Sequence, residues 1–154
     1  MRTLEERFWE KVDQSGECWT WTAATDSHGY GQMWTEPKKQ PAHRISWKLA
    51  NGPIPAGMFV DHICQTRLCV RPEHLRLVTN KQNLEHRVGA QTNSKSGIRG
   101  VNWHKGAGKW RASVKHNMKH YYLGLFIDIR EAERVVQEKR NELFTHNDLD
   151  RKAS

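Results

Sequence analysis

The apolar positions of this chain change period several times, and each change marks an element. Leu4, Phe8, Trp9 and Val12 fall on one helical face, with Thr3 placed to cap and Glu5 and Glu6 in the first turn, predicting a helix over 3–13. After Ser15-Gly16, the alternation of Cys18-Trp19-Thr20-Trp21-Thr22 predicts a strand, and Asp26-Ser27-His28-Gly29 is turn chemistry. Tyr30 to Trp34 is then expected to return as the second strand of that hairpin. Pro41 opens a second helix that runs to Ala50 and buries Ile45, Trp47 and Leu49, and Asn51-Gly52-Pro53 ends it. Phe59–His62 reads as a short strand and His74–Thr79 as its alternating partner. Asn80 caps a helix over 81–88, completing a ββα unit.

Residues 89–97 are small and polar, a linker. Three further strands are expected at 98–103, 110–116 and 120–126, with turns at Lys105-Gly106-Ala107-Gly108 and Asn117-Met118-Lys119. A helix over 129–144 follows, its face formed by Ala132, Val135, Val136 and Leu143 with Lys139 at the rim, and residues 146–154 are expected to be a frayed tail. The pattern predicts an α+β chain: a ββα domain over 1–88, then a small three-stranded antiparallel sheet plus one helix over 98–145.

Composition narrows what such a chain does. With 154 residues, 36% of them hydrophobic, its cores are thin, and thin cores are commonly stapled by a metal. Twenty-five Lys and Arg against 17 Asp and Glu leave a net charge of +8, which points to a polyanionic partner. The excess is concentrated late, since no acidic residue falls between 89 and 127. The N-terminus lacks the apolar core of a signal peptide and no apolar run is long enough to span a membrane, so an intracellular soluble protein is expected.

Three cysteines are an odd number for a disulfide framework. Cys64, Cys69 and His74 are evenly spaced, five positions apart, and suit a structural zinc ion that Cys18, the remaining cysteine, would complete as a Cys3His set. His62 and Asn83 belong to different chemistry. A neutral imidazole takes a proton from water near neutral pH. The Asn83 carbonyl and the Asp61 carboxylate are hard oxygen ligands suited to magnesium or a similar divalent cation. Base, water and hard cation together serve phosphodiester hydrolysis. Taken singly, His62 reads rather as a strand-end surface residue and Asn83 as an ordinary first-turn polar group.

The pattern His62-x-Cys64-x4-Cys69-x4-His74-x8-Asn83 resembles the His-Cys box of homing endonucleases, within the wider HNH or ββα-metal nuclease superfamily. Asp61-His62 is also similar to the Asp-His start of phage-type HNH nicking enzymes, and the match extends through Cys18-Trp19-Thr20-Trp21, Gly29-Tyr30-Gly31, His43-Arg44 and Gly52-Pro53-Ile54-Pro55. The resemblance implies a zinc-stabilised nuclease domain. In it His62 is the general base, Asn83 and Asp61 are catalytic magnesium ligands, and Cys18, Cys64, Cys69 and His74 hold structural zinc. Arg44 is the candidate phosphate clamp, chosen for its planar fork, and reads equally as a structural surface arginine. His74 stands where ordinary HNH enzymes carry an asparagine, a role that a zinc ligand cannot also fill.

Arg99-Gly100-Val101, Gly108-Lys109-Trp110-x-Ala112, Leu123-Gly124-x-Phe126 and Glu131-Ala132 resemble, in order, the three-stranded DNA-binding domain of the APETALA/ethylene-response-factor type, whose sheet lies in the major groove. Positions matching its contacts are Arg99, Asn102, His104, Ser113, Lys115, His120 and Tyr122; several family arginines and a tryptophan are replaced. Lys109 and Arg111 are added from strand position and charge. Alternation alone turns Trp110, Ala112 and Val114 toward the helix and Lys109, Arg111, Ser113 and Lys115 away from it. A site-specific DNA endonuclease acting on double-stranded DNA, as monomer or homodimer, is the expected function. A zinc-stabilised DNA-binding regulator without nuclease activity is the alternative.

Overall fold

The computed structural model describes residues 2–86, 90 and 93–152. The chain divides into two compact units, Met1–Asn80 and Lys81–Ser154. Both are α+β with small antiparallel sheets, as the hydrophobic pattern predicts.

In the first unit, α1 (Leu4–Trp9) starts on a capping box: Thr3 Oγ1 accepts from the Glu6 N–H at 3.2 Å, and the Glu6 carboxylate accepts from the Thr3 N–H at 2.8 Å. The helix is shorter than the expected 3–13. The Lys11 N–H closes on Phe8 O, and Val12 leaves to form β1 (Val12–Asp13) against β2 (Thr20–Trp21). Val12 is β-branched and finds Trp21 as its cross-strand partner, a contact a continued helix could not make.

The expected hairpin of Cys18–Thr22 with Tyr30–Trp34 is also corrected. β2 pairs with β1, whereas β3 (Gln32–Thr35) pairs with β4 (Lys38–Pro41). The turn between them is as expected: Asp26 Oδ1 accepts from the N–H groups of His28 and Tyr30, each at 2.9 Å. Gly31 then crosses the face of Trp21 so closely that a Cβ there would lie 2.5 Å from Trp21 Cδ1. That crossing takes the place of ladder pairing.

Pro41 caps α2 (Ala42–Asn51) rather than standing inside it. The helix buries Ala42, His43, Ile45 and Ser46, while Trp47 is only half-buried. Phe8, Trp21, Met33, Ala42, Ile45 and Val70 form the core, and Ser46 Oγ donates to the Val70 carbonyl. β5 (Met58–His62) and β6 (Leu75–Thr79) pair antiparallel as expected, with Asp61 opposite Arg76 and His62 opposite Leu75. A single 3-10 turn, Pro72–His74, leads into β6.

α3 (Asn80–Glu85) begins where β6 ends, with Asn80 its first residue rather than its cap; His86 lies in a turn, and residues 87–88 of the expected helix lie outside the described residues, as does part of the 89–97 linker. In the second unit β7 (Val101–His104), β8 (Lys109–His116) and β9 (Lys119–Phe126) form a sheet in the order β7-β8-β9, and α4 (Ile129–Leu143) packs across it. Val101, Ala112, Val114, Ala132, Val136 and Phe144 are its core. The described part of the segment expected to fray, 146–152, is instead tied down. Glu85, 4% exposed, accepts from the Thr145 N–H and Oγ1 at 2.9 Å each and from the His146 N–H at 3.3 Å, and α5 (Asp148–Lys152) brings Asp150 to the buried Arg140 at 2.5 Å. Among the described residues no helix is long and apolar enough to cross a membrane.

Candidate metal centre and catalytic histidine

The loop from Ile63 to Arg71 carries Cys64 and Cys69, and the first unit shapes it from both sides. Ile63 N–H bonds to His74 O at its root, and Cys69 N–H bonds to Thr66 O at 3.0 Å within it. The Trp21 N–H bonds to Leu68 O at 2.9 Å, and the Val70 N–H to Trp19 O at 2.8 Å, so the loop is sewn to the β2 segment. That stitching carries Cys18 across 46 positions of sequence to Cys64.

One ligand atom each from Cys18, Cys64, Cys69 and His74 lies within 4.8 Å of all the others. His74 turns Nδ1 inward, 3.5 Å from Cys18 Sγ and 3.6 Å from Cys69 Sγ. For tetrahedral zinc, a Zn–S bond of about 2.3 Å and a Zn–N bond of about 2.0–2.1 Å set the S···N edge at about 3.5–3.6 Å. The donor set and its spacing therefore fit zinc. Without a cation, burial pushes the Cys69 thiol up to about 12, with the neighbouring Cys64 adding to it, so a thiolate there calls for a positive ion. All four ligands expected from the sequence are in this group.

His62 ends β5 at 7% exposure, two residues before Cys64. Its Nε2 lies 3.0 Å from the carbonyl oxygen of Cys69. A carbonyl only accepts, so Nε2 carries the proton and the neutral ring keeps its lone pair on Nδ1. Burial pulls the His62 pKa down from the ordinary range, opposed by the Cys69 bond and the Asp61 charge. Asp61 meets Arg76, its cross-strand partner, with Oδ2 3.1 Å from Arg76 Nε, both side chains largely buried. Arg44 lies half-buried on α2, next to His43. Asn83 comes from α3, past the boundary between the units, and is half-exposed.

Sequence reasoning missed several residues around His62. His43 is 8% exposed with its ring centroid 4.7 Å from that of His62. Burial drives its pKa down to about 3, with the charges of His62 and Arg44 acting in the same direction. Tyr30 closes the cluster, its ring 5.6 Å from His43 and 6.0 Å from His62. Arg76 could have been found from strand register once Asp61 was singled out. His43 falls within the His43-Arg44 match, but nothing local gave it a role.

In the second unit the register sorts the expected DNA contacts. Asn102 pairs with Arg111, His104 with Lys109, Ser113 with Tyr122 and Lys115 with His120. Paired residues share a face, so these eight side chains line one side of the sheet. Ala112 and Val114 are buried on the other. A bulge in β9 at Leu123–Gly124 keeps the two rows in phase across the irregularity between Ala112 and Ser113. Arg99 stands apart: it precedes β7, donates to the carbonyls of Leu84 and Glu85 at 3.0 and 2.9 Å, and lies over the Phe144 ring.

Comparison with known proteins matches residues 40–85 to the HNH endonuclease family. Protein 7.7 of Escherichia phage T7 is 39% identical over 72 residues, 47% of this chain and 55% of that protein. Protein 2.8 of the same phage is 42% identical over 84 residues, 52% of this chain and 56% of that protein. The chain thus spans about half the length of these two relatives. No solved structure matches significantly. Protein 3.8 of phage T7 is 34% identical over 119 residues, covering 74% of this chain and 90% of its own length. The chain belongs to the family of that phage protein and carries an HNH endonuclease domain at residues 40–85.

Proposed function

We propose that this protein is a site-specific DNA endonuclease of the HNH homing type, in which His62 is the general base for hydrolysis of a phosphodiester bond. The observation that carries the reading is the bond from His62 Nε2 to Cys69 O. It holds the ring in the tautomer whose Nδ1 can accept a proton, and it runs through the backbone of a residue whose side chain belongs to the Cys3His group. Burial keeps the base neutral at physiological pH. Nδ1 takes a proton from a water in line with the phosphorus; the new P–O bond forms as the bond to the 3′ oxygen breaks, leaving 5′-phosphate and 3′-hydroxyl ends.

Asp61 is the residue we assign to a divalent cation such as magnesium, and Asn83, in the second unit, is the other candidate ligand carried over from the sequence. Both offer the hard oxygen such an ion takes, and when bound it supplies charge stabilisation for the phosphate and leaving oxygens. Arg76 steadies the Asp61 carboxylate, as partners of metal-ligating carboxylates do. Zinc held by Cys18, Cys64, Cys69 and His74 has no chemical step; it shapes the loop. Arg44 contacts the phosphate.

The nuclease domain spans 1–88 and a DNA-reading domain of the APETALA/ethylene-response-factor type spans 98–145, with the row Asn102, His104, Lys109, Arg111, Ser113, Lys115, His120 and Tyr122 against duplex DNA. Plasmid nicking tests the reading. Wild type converts supercoiled to open-circular DNA with a divalent cation, and His62→Ala does not; equal activity of the two removes His62 as base.

A further inference from the structure

The loop from Ile63 to Arg71 presents one arginine, Arg67, that has no ion pair among the described residues and reaches the His62 cluster through Tyr30. Arg71 pairs with Glu73 at 3.1 Å and Arg76 with Asp61 at 3.1 Å, so two of the three arginines between Asp61 and Thr79 each have a carboxylate. Arg67 makes no ion pair among the described residues and is exposed. Its guanidinium is nevertheless oriented. The carbon at its centre lies 5.6 Å from the centroid of the Tyr30 ring, and Nη1 donates to the His28 carbonyl at 2.7 Å. Tyr30 in turn lies 6.0 Å from the His62 ring, tilted by only 31°.

The backbone on either side is held as well. Cys69 N–H closes on Thr66 O, and Leu68 O receives the Trp21 N–H. The aromatic face and the carbonyl engage the guanidinium at two points, and the side chain is otherwise exposed. An arginine fixed at two points, without a carboxylate, is prepared to take an anion with little further loss of side-chain freedom.

We propose that Arg67 is a backbone-phosphate contact of the DNA strand presented to His62, with Tyr30 and His28 O as its support. The ligand is a phosphodiester oxygen of duplex DNA. This assignment rests on the nuclease reading for its placement near the scissile bond, but as a phosphate contact it is measurable without cleavage.

The test uses the full zinc-loaded chain and a short fluorescent duplex, with no divalent cation added so that binding alone is read. The dependence of log K on log salt should be shallower by about 0.9 in Arg67→Gln than in wild type. Arg67→Lys, which keeps the charge and loses the fork, should restore most of that slope. Arg134→Gln, on the exposed face of α4 and paired with Glu138, serves as the control and should leave the slope unchanged. In nicking assays with magnesium, Arg67→Gln should lose about ten- to a hundred-fold in rate, partly recovered by Arg67→Lys. Zinc content and melting temperature of both variants should match wild type. An unchanged salt slope in Arg67→Gln, with zinc content intact, overturns the assignment whatever happens to the nicking rate. If instead the slope falls but wild type and His62→Ala fail alike to nick, the phosphate contact stands and the nuclease reading does not.

Discussion

The Nε2 of His62 donates to the carbonyl oxygen of Cys69 at 3.0 Å, a bond that joins the proposed base to the loop the cysteines shape. Its consequence is tautomeric. We expect nitrogen NMR of the folded protein to show His62 protonated on Nε2 at neutral pH. We expect His62→Ala to reduce nicking by about 10²- to 10⁴-fold, the usual contribution of a positioned general base. A ring found protonated on Nδ1 would contradict the assignment.

Removing the metal should disturb both fold and base. With Cys69 buried and its thiol held neutral in the absence of a cation, zinc binding must release protons, and acid or a chelator should reverse it. Cys69→Ser is expected to lose zinc, measured by metal analysis, and to lower the melting temperature by ten degrees or more, roughly what the loss of several kcal/mol does in a domain of this size. Full retention of zinc in Cys69→Ser would remove Cys69 from the ligand set.

His43 makes stability depend on pH. Its pKa is pulled from 6.5 to about 3 in the folded chain, so between those values the unfolded state binds the proton and the folded state does not. Its contribution is therefore fully present above 6.5 and is lost as pH falls toward 3, at roughly 1.4 kcal/mol per pH unit. Denaturant titrations at pH 7, 6 and 5 should give a steeper decline in wild type than in His43→Phe. The zinc ligands are common to both proteins, so their protonation cancels in the comparison. Parallel declines would show that His43 does not titrate this way.

The second unit separates contacts from supports. Arg111→Ala and Lys115→Ala, on the exposed face of β8, should each reduce the salt slope of duplex binding by about 0.9. Arg99→Ala should leave the slope alone. It should lower stability by about 1–3 kcal/mol, because the Leu84 and Glu85 carbonyls lose their donors and Phe144 its cation. A slope change in Arg99→Ala equal to that of Arg111→Ala would restore it to the DNA-contact row.

Much of the site was legible before any coordinates. Cysteine is scarce in this chain, zinc demands four such ligands, and the five-residue spacing of Cys64, Cys69 and His74 left Cys18 as the natural completion. The sheet face was legible too, because a period of two sorts side chains without knowledge of their partners. What failed was long-range: the end of α1, the partner of β2 and the anchoring of the tail all depended on contacts far apart in sequence.

The sequence by itself marked Cys64, Cys69 and His74 as one group and sorted the strand side chains into two faces, since spacing and periodicity are local properties. Only the tertiary structure decided how those residues are supported. Arg76 reached Asp61 through strand register, His43 was buried against His62, Arg67 came to rest on Tyr30 from 37 positions away, and Arg99 was turned to helix carbonyls. The physical reason is that burial and pairing of a polar group are set by whichever donor, acceptor or ring the folded chain brings to it, and local pattern carries no record of that partner.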